Sequence, residues 1–136
     1  MYNLSKRTQY GMSAVLDLAE NHGLGLVQLK DIAERRRIPK DYLLQILNRL
    51  GKAGIVKGTR GNQGGFELAL APEDLTVYRV VQALEGDVTV SAKTDPQGLG
   101  ELVGEIESSI KSILSISIME LALRQKKFEQ QPMFHI

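Results

Sequence analysis

Residues 29–50 read LKDIAERRRIPKDYLLQILNRL, and Pro39 in the middle of that stretch decides the fold. Leu29, Ile32 and Ala33 sit at i, i+3 and i+4, the period of a short helix from Leu29 to Arg36. Pro39 has no N–H and clashes with a preceding turn, so it stops that helix and suits the first turn of another. Leu43, Ile46, Leu47 and Leu50 give the next helix its apolar stripe. That helix ends around Gly51 to Gly54, where glycine takes a left-handed cap. Ala33 is small enough to let the two helices approach, and Ile38 is an apolar plug for the turn between them. The pattern is a helix-turn-helix.

The flanks extend it. Ser5 is an N-cap for a first helix carrying Met12, Val15, Leu16, Leu18 and Ala19, which ends near Asn21, His22 and Gly23. Leu26 to Gln28 reads as a short extended piece. Downstream, Ile55 to Thr59 is a strand, and Phe66, Leu68 and Leu70 alternate in a second. Between them lies the loop Arg60-Gly61-Asn62-Gln63-Gly64-Gly65. Thr76 caps a fourth helix with Val77, Val80, Val81 and Leu84, stopping at Gly86. The order predicts a mainly α fold with a small β-hairpin, a winged helix-turn-helix domain over residues 1–86. Residues 87–98 read as a linker. Residues 99–124 hold a long helix with apolar positions Leu99, Val103, Ile106, Ile110, Ile113 and Leu114, then a short helix through Leu123. Ser117 and Glu120 have the spacing of a capping box for that short helix. Residues 125–136 are expected to be a flexible tail.

At 136 residues, 43% hydrophobic and 24% charged, the chain suits one small soluble domain with a helical extension. There is no cysteine, which excludes disulfides, thiolate nucleophiles and thiolate-held metals or iron–sulfur clusters. That composition is compatible with the cytoplasm, the expected location. No apolar run is long enough for a membrane span, and Met1 to Arg7 leads directly into an amphipathic pattern without a signal peptide. Asp95, Glu101 and Glu105 accompany no nucleophile–base pair and no metal-ligand spacing, so no enzyme and no metal site is expected.

The net charge of +1 hides an asymmetry. Residues 1–60 hold 11 Lys+Arg against 5 Asp+Glu, and residues 61–136 hold 6 against 11. A basic half containing a helix-turn-helix points to a polyanion, duplex DNA. The third helix presents Lys40, Asp41, Gln45, Asn48 and Arg49 on a polar face. Recognition helices read bases mainly through their N-terminal residues, with Gln and Asn suited to adenine and Lys and Arg to guanine or phosphate. The wing residues Arg60, Gly61, Asn62 and Gln63 suit a narrow minor groove. Lys6, Arg7 and Tyr10, with Arg35 to Arg37, are candidates for phosphate contacts. Two other readings stay open: the same fold sensing a small molecule or labile metal, and a winged-helix interaction scaffold that binds no DNA.

LKDIAE at 29–34, YLLQIL at 42–47, LGKAGIV at 50–56 and RGNQGGFEL at 60–68 together resemble the IscR/CymR family of bacterial winged-helix regulators, also called the Rrf-two type. The resemblance runs from Leu4 to about Leu123. It implies a homodimer, paired through the Leu99–Leu114 helix, that binds an imperfect palindrome and usually represses. By position it places Arg60 and Gly61 in the minor groove, Pro39, Lys40, Asp41 and Leu44 against bases, and Tyr42 and Tyr10 near the backbone. The cluster-binding members carry cysteines and a histidine in the linker, which has neither here. The resemblance is therefore to the cluster-free, CymR-like branch, which works with cysteine synthase in cysteine and sulfur metabolism. The ending Met133-Phe134-His135-Ile136 is similar to that branch's ending. It implies docking of Ile136 into cysteine synthase, as the terminal isoleucine of serine acetyltransferase does.

Overall fold

The computed structural model describes residues 4–87 and 98–130. Three helices form the base: α1 (Lys6–Glu20), α2 (Leu29–Arg36) and α3 (Lys40–Lys52). A hairpin of β1 (Val56–Thr59) and β2 (Gly65–Leu68) follows, then α4 (Val77–Glu85), α5 (Gly100–Ile113) and α6 (Ile118–Glu129). The strands pair antiparallel with Val56 opposite Leu68 and Thr59 opposite Gly65. Val27 bridges to the other side of β2, since its N–H donates to Phe66 O at 2.9 Å and Phe66 N–H donates to Val27 O at 2.8 Å. The extended piece read at Leu26 to Gln28 is thus the outer edge of the wing.

One apolar core joins these elements. Leu16 and Leu18 of α1, Ile32 of α2, Leu43, Ile46, Leu47 and Leu50 of α3, and Val80 and Leu84 of α4 are buried in it. Ile38, the plug in the turn, is 4% exposed. Gly11 lets α1 lie against α4, because a Cβ there would stand 2.3 Å from Leu84 Cδ1. Ser5, Thr76 and Ser117 each accept a bond from a backbone N–H three residues on and so cap α1, α4 and α6.

The junction between α5 and α6 is fixed to the winged domain through backbone bonds. Val77 N–H donates to Ile116 O and Tyr78 N–H to Leu114 O, which satisfies the start of α4. Ile118 N–H donates to Leu75 O at 2.7 Å, and Ile118 is fully buried. By contrast, α5 itself buries no residue.

Two sequence expectations are corrected. The last helix does not stop at Leu123 but runs to Glu129, so Gln125 to Glu129 are helical rather than tail. Arg124, Lys126, Lys127 and Glu129 favour helix by propensity without any apolar period to announce it. The capping box is half formed: Ser117 Oγ accepts from Glu120 N–H, while the Glu120 carboxylate pairs with Arg124 at 3.0 Å. Most of the expected linker, residues 88–97, and the Met133–Ile136 ending lie outside the described residues. Among the described residues no helix is long and apolar enough to cross a membrane.

Candidate nucleic-acid interface

The stripe of α3 that enters the core leaves the opposite face to solvent. Lys40, Asp41, Leu44, Gln45, Asn48 and Arg49 are exposed, Leu44 at 41%. Pro39 is the N-cap of α3 and offers no side-chain cap; neither does Gln28 at the start of α2. Both helices of the helix-turn-helix therefore begin with backbone N–H groups that no capping side chain satisfies, unlike α1, α4 and α6. A helix N-terminus in that state attracts a phosphate oxygen. The two starts meet the wing: Gln28, Lys30, Lys40, Thr59, Gly61 and Asn62 line one open groove.

Arg60, Gly61, Asn62 and Gln63 at the hairpin tip are exposed. The tight tip depends on glycine. Gly61 has φ 111°, a conformation other residues rarely adopt. Gly64 N–H donates to Gly61 O at 3.0 Å, and a Cβ on Gly64 would stand 2.1 Å from Thr59 O. With Val27 and Phe66 bonded at the base, the wing is a supported finger.

The start of α1 joins the same side of the molecule. The Tyr10 and Tyr42 rings meet edge to face with centroids 5.7 Å apart, and Lys6 Nζ stands 5.7 Å from the Tyr10 centroid. Arg7 is half-buried, and its Nε has no hydrogen-bond partner among the described residues. Beside it Glu85 accepts bonds from Ser5 N–H, Ser5 Oγ and Thr8 Oγ1. Those bonds and the nearby Arg7 charge hold the Glu85 carboxyl below its ordinary value. Glu85 thus ties the end of α4 to the start of α1.

The structure separates the three consecutive arginines. Arg35 grips Asp17 with Nε at 3.0 Å and Nη2 at 2.8 Å, and Arg36 Nε reaches the same carboxylate at 3.1 Å. Arg36 also pairs with Glu20 at 3.5 Å. These two cations fasten α2 to α1, so both of these candidates for phosphate contact are already paired within the chain. Arg49 is likewise engaged, its Nε donating to Ala83 O of α4 at 3.2 Å. In return Arg79 of α4 donates to Ala53 O at the end of α3.

Gln28 and Lys30 were missed in the sequence, where they lie upstream of the recognition helix. The hairpin brings them to the groove through the Val27–Phe66 bonds. The apolar edge of α5 is exposed: Leu99 at 50%, Leu102 at 53%, Ile106 at 39% and Ile113 at 71%. Leu102 was not among the expected positions. Val103 and Ile110 are half-buried, and Leu114 packs on its own chain's core.

Residues 4–126 match the family model Rrf2, described as an iron-dependent transcriptional regulator. The chain belongs to the Rrf2 family. CymR of Bacillus subtilis strain 168 is 32% identical over 98% of this chain and 99% of its own length. IscR of Aliivibrio salmonicida is 39% identical over 62% of this chain, a match that spans 51% of that relative. The solved structure of CymR, the global cysteine regulator of B. subtilis, superposes with TM-score 0.79 and 31% identity, covering 91% of this chain and 98% of that one. T. potens IscR superposes with TM-score 0.79 and 34% identity, covering 98% and 94%. These relatives confirm the winged-helix fold, and the Rrf2 family is one of transcriptional regulators, not of enzymes.

A thiolate-held iron–sulfur cluster, one form the iron in the family's description could take, does not fit this donor set. The chain has no cysteine and hence no thiolate for an iron–sulfur cluster. Among the described residues no group of three His, Cys, Asp or Glu side chains could hold a metal ion.

Proposed function

We propose that this Rrf2-family chain is a homodimeric, sequence-specific DNA-binding repressor that recognises an imperfect palindrome. The observation that carries the reading is the shared groove. The uncapped starts of α2 and α3, with Lys30 and Lys40, face it together with the wing that bears Arg60. In this reading α3 lies in a major groove, with Lys40, Asp41, Leu44, Gln45 and Asn48 toward base edges. Leucine accepts no hydrogen bond, so Leu44 offers a methyl contact suited to thymine. Arg60 and Gly61, flanked by Asn62 and Gln63, follow the adjacent minor groove. Lys6, Tyr10 and Tyr42 contact the sugar–phosphate backbone.

Dimerisation supplies the two-fold symmetry that a palindrome requires. The exposed edge of α5 supports it, with Leu99, Leu102, Ile106 and Ile113 pairing with their counterparts. CymR of B. subtilis is described as a cysteine regulator, and its match over nearly both whole chains supports control of cysteine or sulfur genes. Cysteine synthase is the corresponding proposed partner, taken up through Phe134, His135 and Ile136. Calorimetry with the full chain and with its last four residues deleted tests that contact; equal affinities would remove the tail from it.

The DNA reading is tested by selecting duplexes from a random library with the wild-type protein and with Arg60→Ala. Recovery of a palindrome by the wild type, weakened by about 1–3 kcal/mol in the variant, is expected. Failure to enrich any sequence, with no retention of duplex DNA at low salt, would favour an interaction scaffold.

A further inference from the structure

Arg37 is the one non-glycine residue with positive φ among the described residues, at φ 53° and ψ 49°. It occupies the left-handed position that ends α2, two residues before the cap of α3. The conformation is imposed by its neighbours. Ile38 N–H donates to Ala33 O at 3.0 Å, Arg37 N–H bonds the same carbonyl, and Ile38 is buried. This is a helix-ending motif in which glycine is the usual residue, because a Cβ in the left-handed region is strained.

The side chain shows no local compensation. Arg35 and Arg36 are held by Asp17 and Glu20, whereas Arg37 is exposed and makes no side-chain bond among the described residues. An arginine kept in a strained position where glycine would serve better, with its charge unpaired beside the recognition helix, calls for a reason outside the single chain. We propose that Arg37 is a phosphate-contacting residue of the DNA complex and that its charge is retained at the expense of stability. The inference rests on the DNA-binding reading above and adds to it a residue with two opposed effects.

The test uses the full-length protein and a fluorescein-labelled duplex carrying the sequence recovered by selection, with thermal unfolding measured in parallel. Arg37→Gly removes the strain; the extra freedom of glycine in the unfolded chain offsets part of the gain, leaving a Tm rise of about 2–3 °C. The same variant binds DNA about three- to tenfold more weakly, and its log affinity against log salt is shallower by about 0.9 per protomer. Arg37→Ala keeps the strain and loses the charge, so it shows the DNA effect with no rise in Tm. Arg37→Lys keeps the wild-type salt slope. Wild-type affinity and slope in both Arg37→Gly and Arg37→Ala would overturn the contact. A fall in Tm for Arg37→Gly would overturn the trade-off. Absence of binding by the wild type itself would instead reject the DNA reading on which the inference stands.

Discussion

Replacing Asp17 by Asn tests how the helix-turn-helix is held to the rest of the domain. Asp17 is 1% exposed and lies on α1, yet its carboxylate takes three bonds from α2, at 2.8, 3.0 and 3.1 Å. Burial alone would raise its carboxyl; the bonds and charges of Arg35 and Arg36 more than offset that and leave it below the ordinary value. Breaking a buried pair typically costs about 3–5 kcal/mol. Here the Arg35 side chain is 49% exposed and recovers water, whereas Arg36, at 20%, is left largely desolvated. The expected loss is about 2–3 kcal/mol, or roughly 6–12 °C in Tm for a chain of this size. The sign with pH follows from the lowered carboxyl. Its contribution is fully present above the unfolded value of about 3.9 and disappears as pH falls through the lower folded value. Circular dichroism melts of both proteins from pH 7 to 3 should show a constant gap down to about pH 5 that narrows below about 4. A variant melting within about 1 °C of wild type at pH 7, or a gap that does not change on acidification, would refute the clamp.

Other perturbations separate packing, wing and dimer. Gly11→Ala places a Cβ 2.3 Å from Leu84 Cδ1 and 3.3 Å from Ile46 Cγ2, both in a filled core. Urea denaturation should register a loss of about 1–3 kcal/mol. Gly64→Ala forces a Cβ against Thr59 O within the wing and should weaken DNA binding in anisotropy titrations while α-helical content is kept. Ile106→Glu puts a charge on the exposed edge of α5; if the proposed dimer forms through that edge, sedimentation should show a lower mass for the variant than for the wild type at the same concentration, and equal masses would remove α5 from the pairing. Arg49→Ala removes the Nε bond to Ala83 O that ties α3 to α4, and urea denaturation should register a loss of about 1 kcal/mol; the guanidinium keeps its charge in that bond, so a shallower salt slope of DNA binding in the same variant would add Arg49 to the DNA contacts.

Local chemistry made much of this legible in the sequence. Ser5, Thr76 and Ser117 act as caps because their hydroxyls reach a backbone N–H whatever the surroundings. Pro39 sets the turn through its own ring, and Ile38 is buried because it is apolar in a turn that the core surrounds. What stayed hidden was partnership at a distance. Asp17 lies 18 residues from Arg35, so nothing near the three arginines shows which of them is spoken for. Likewise Arg49 carries a charge suited to DNA, and only the placement of α4 reveals its bond to Ala83. The left-handed Arg37 runs against its own propensity and is imposed by Ile38 and Ala33. Leu102 was passed over because Leu99, Val103 and Ile106 already satisfied the helical period; its exposure shows that the apolar edge is broader.

The central claim is that the start of α3 and the Arg60 wing grip duplex DNA together, and a salt titration tests it most directly. Anisotropy of the selected duplex is followed with wild type, Lys40→Ala and Arg60→Ala from low to physiological salt. The account predicts a steep linear fall of log affinity with log salt for the wild type, and weaker binding in each variant. A flat plot, or variants that bind as the wild type does, would contradict it.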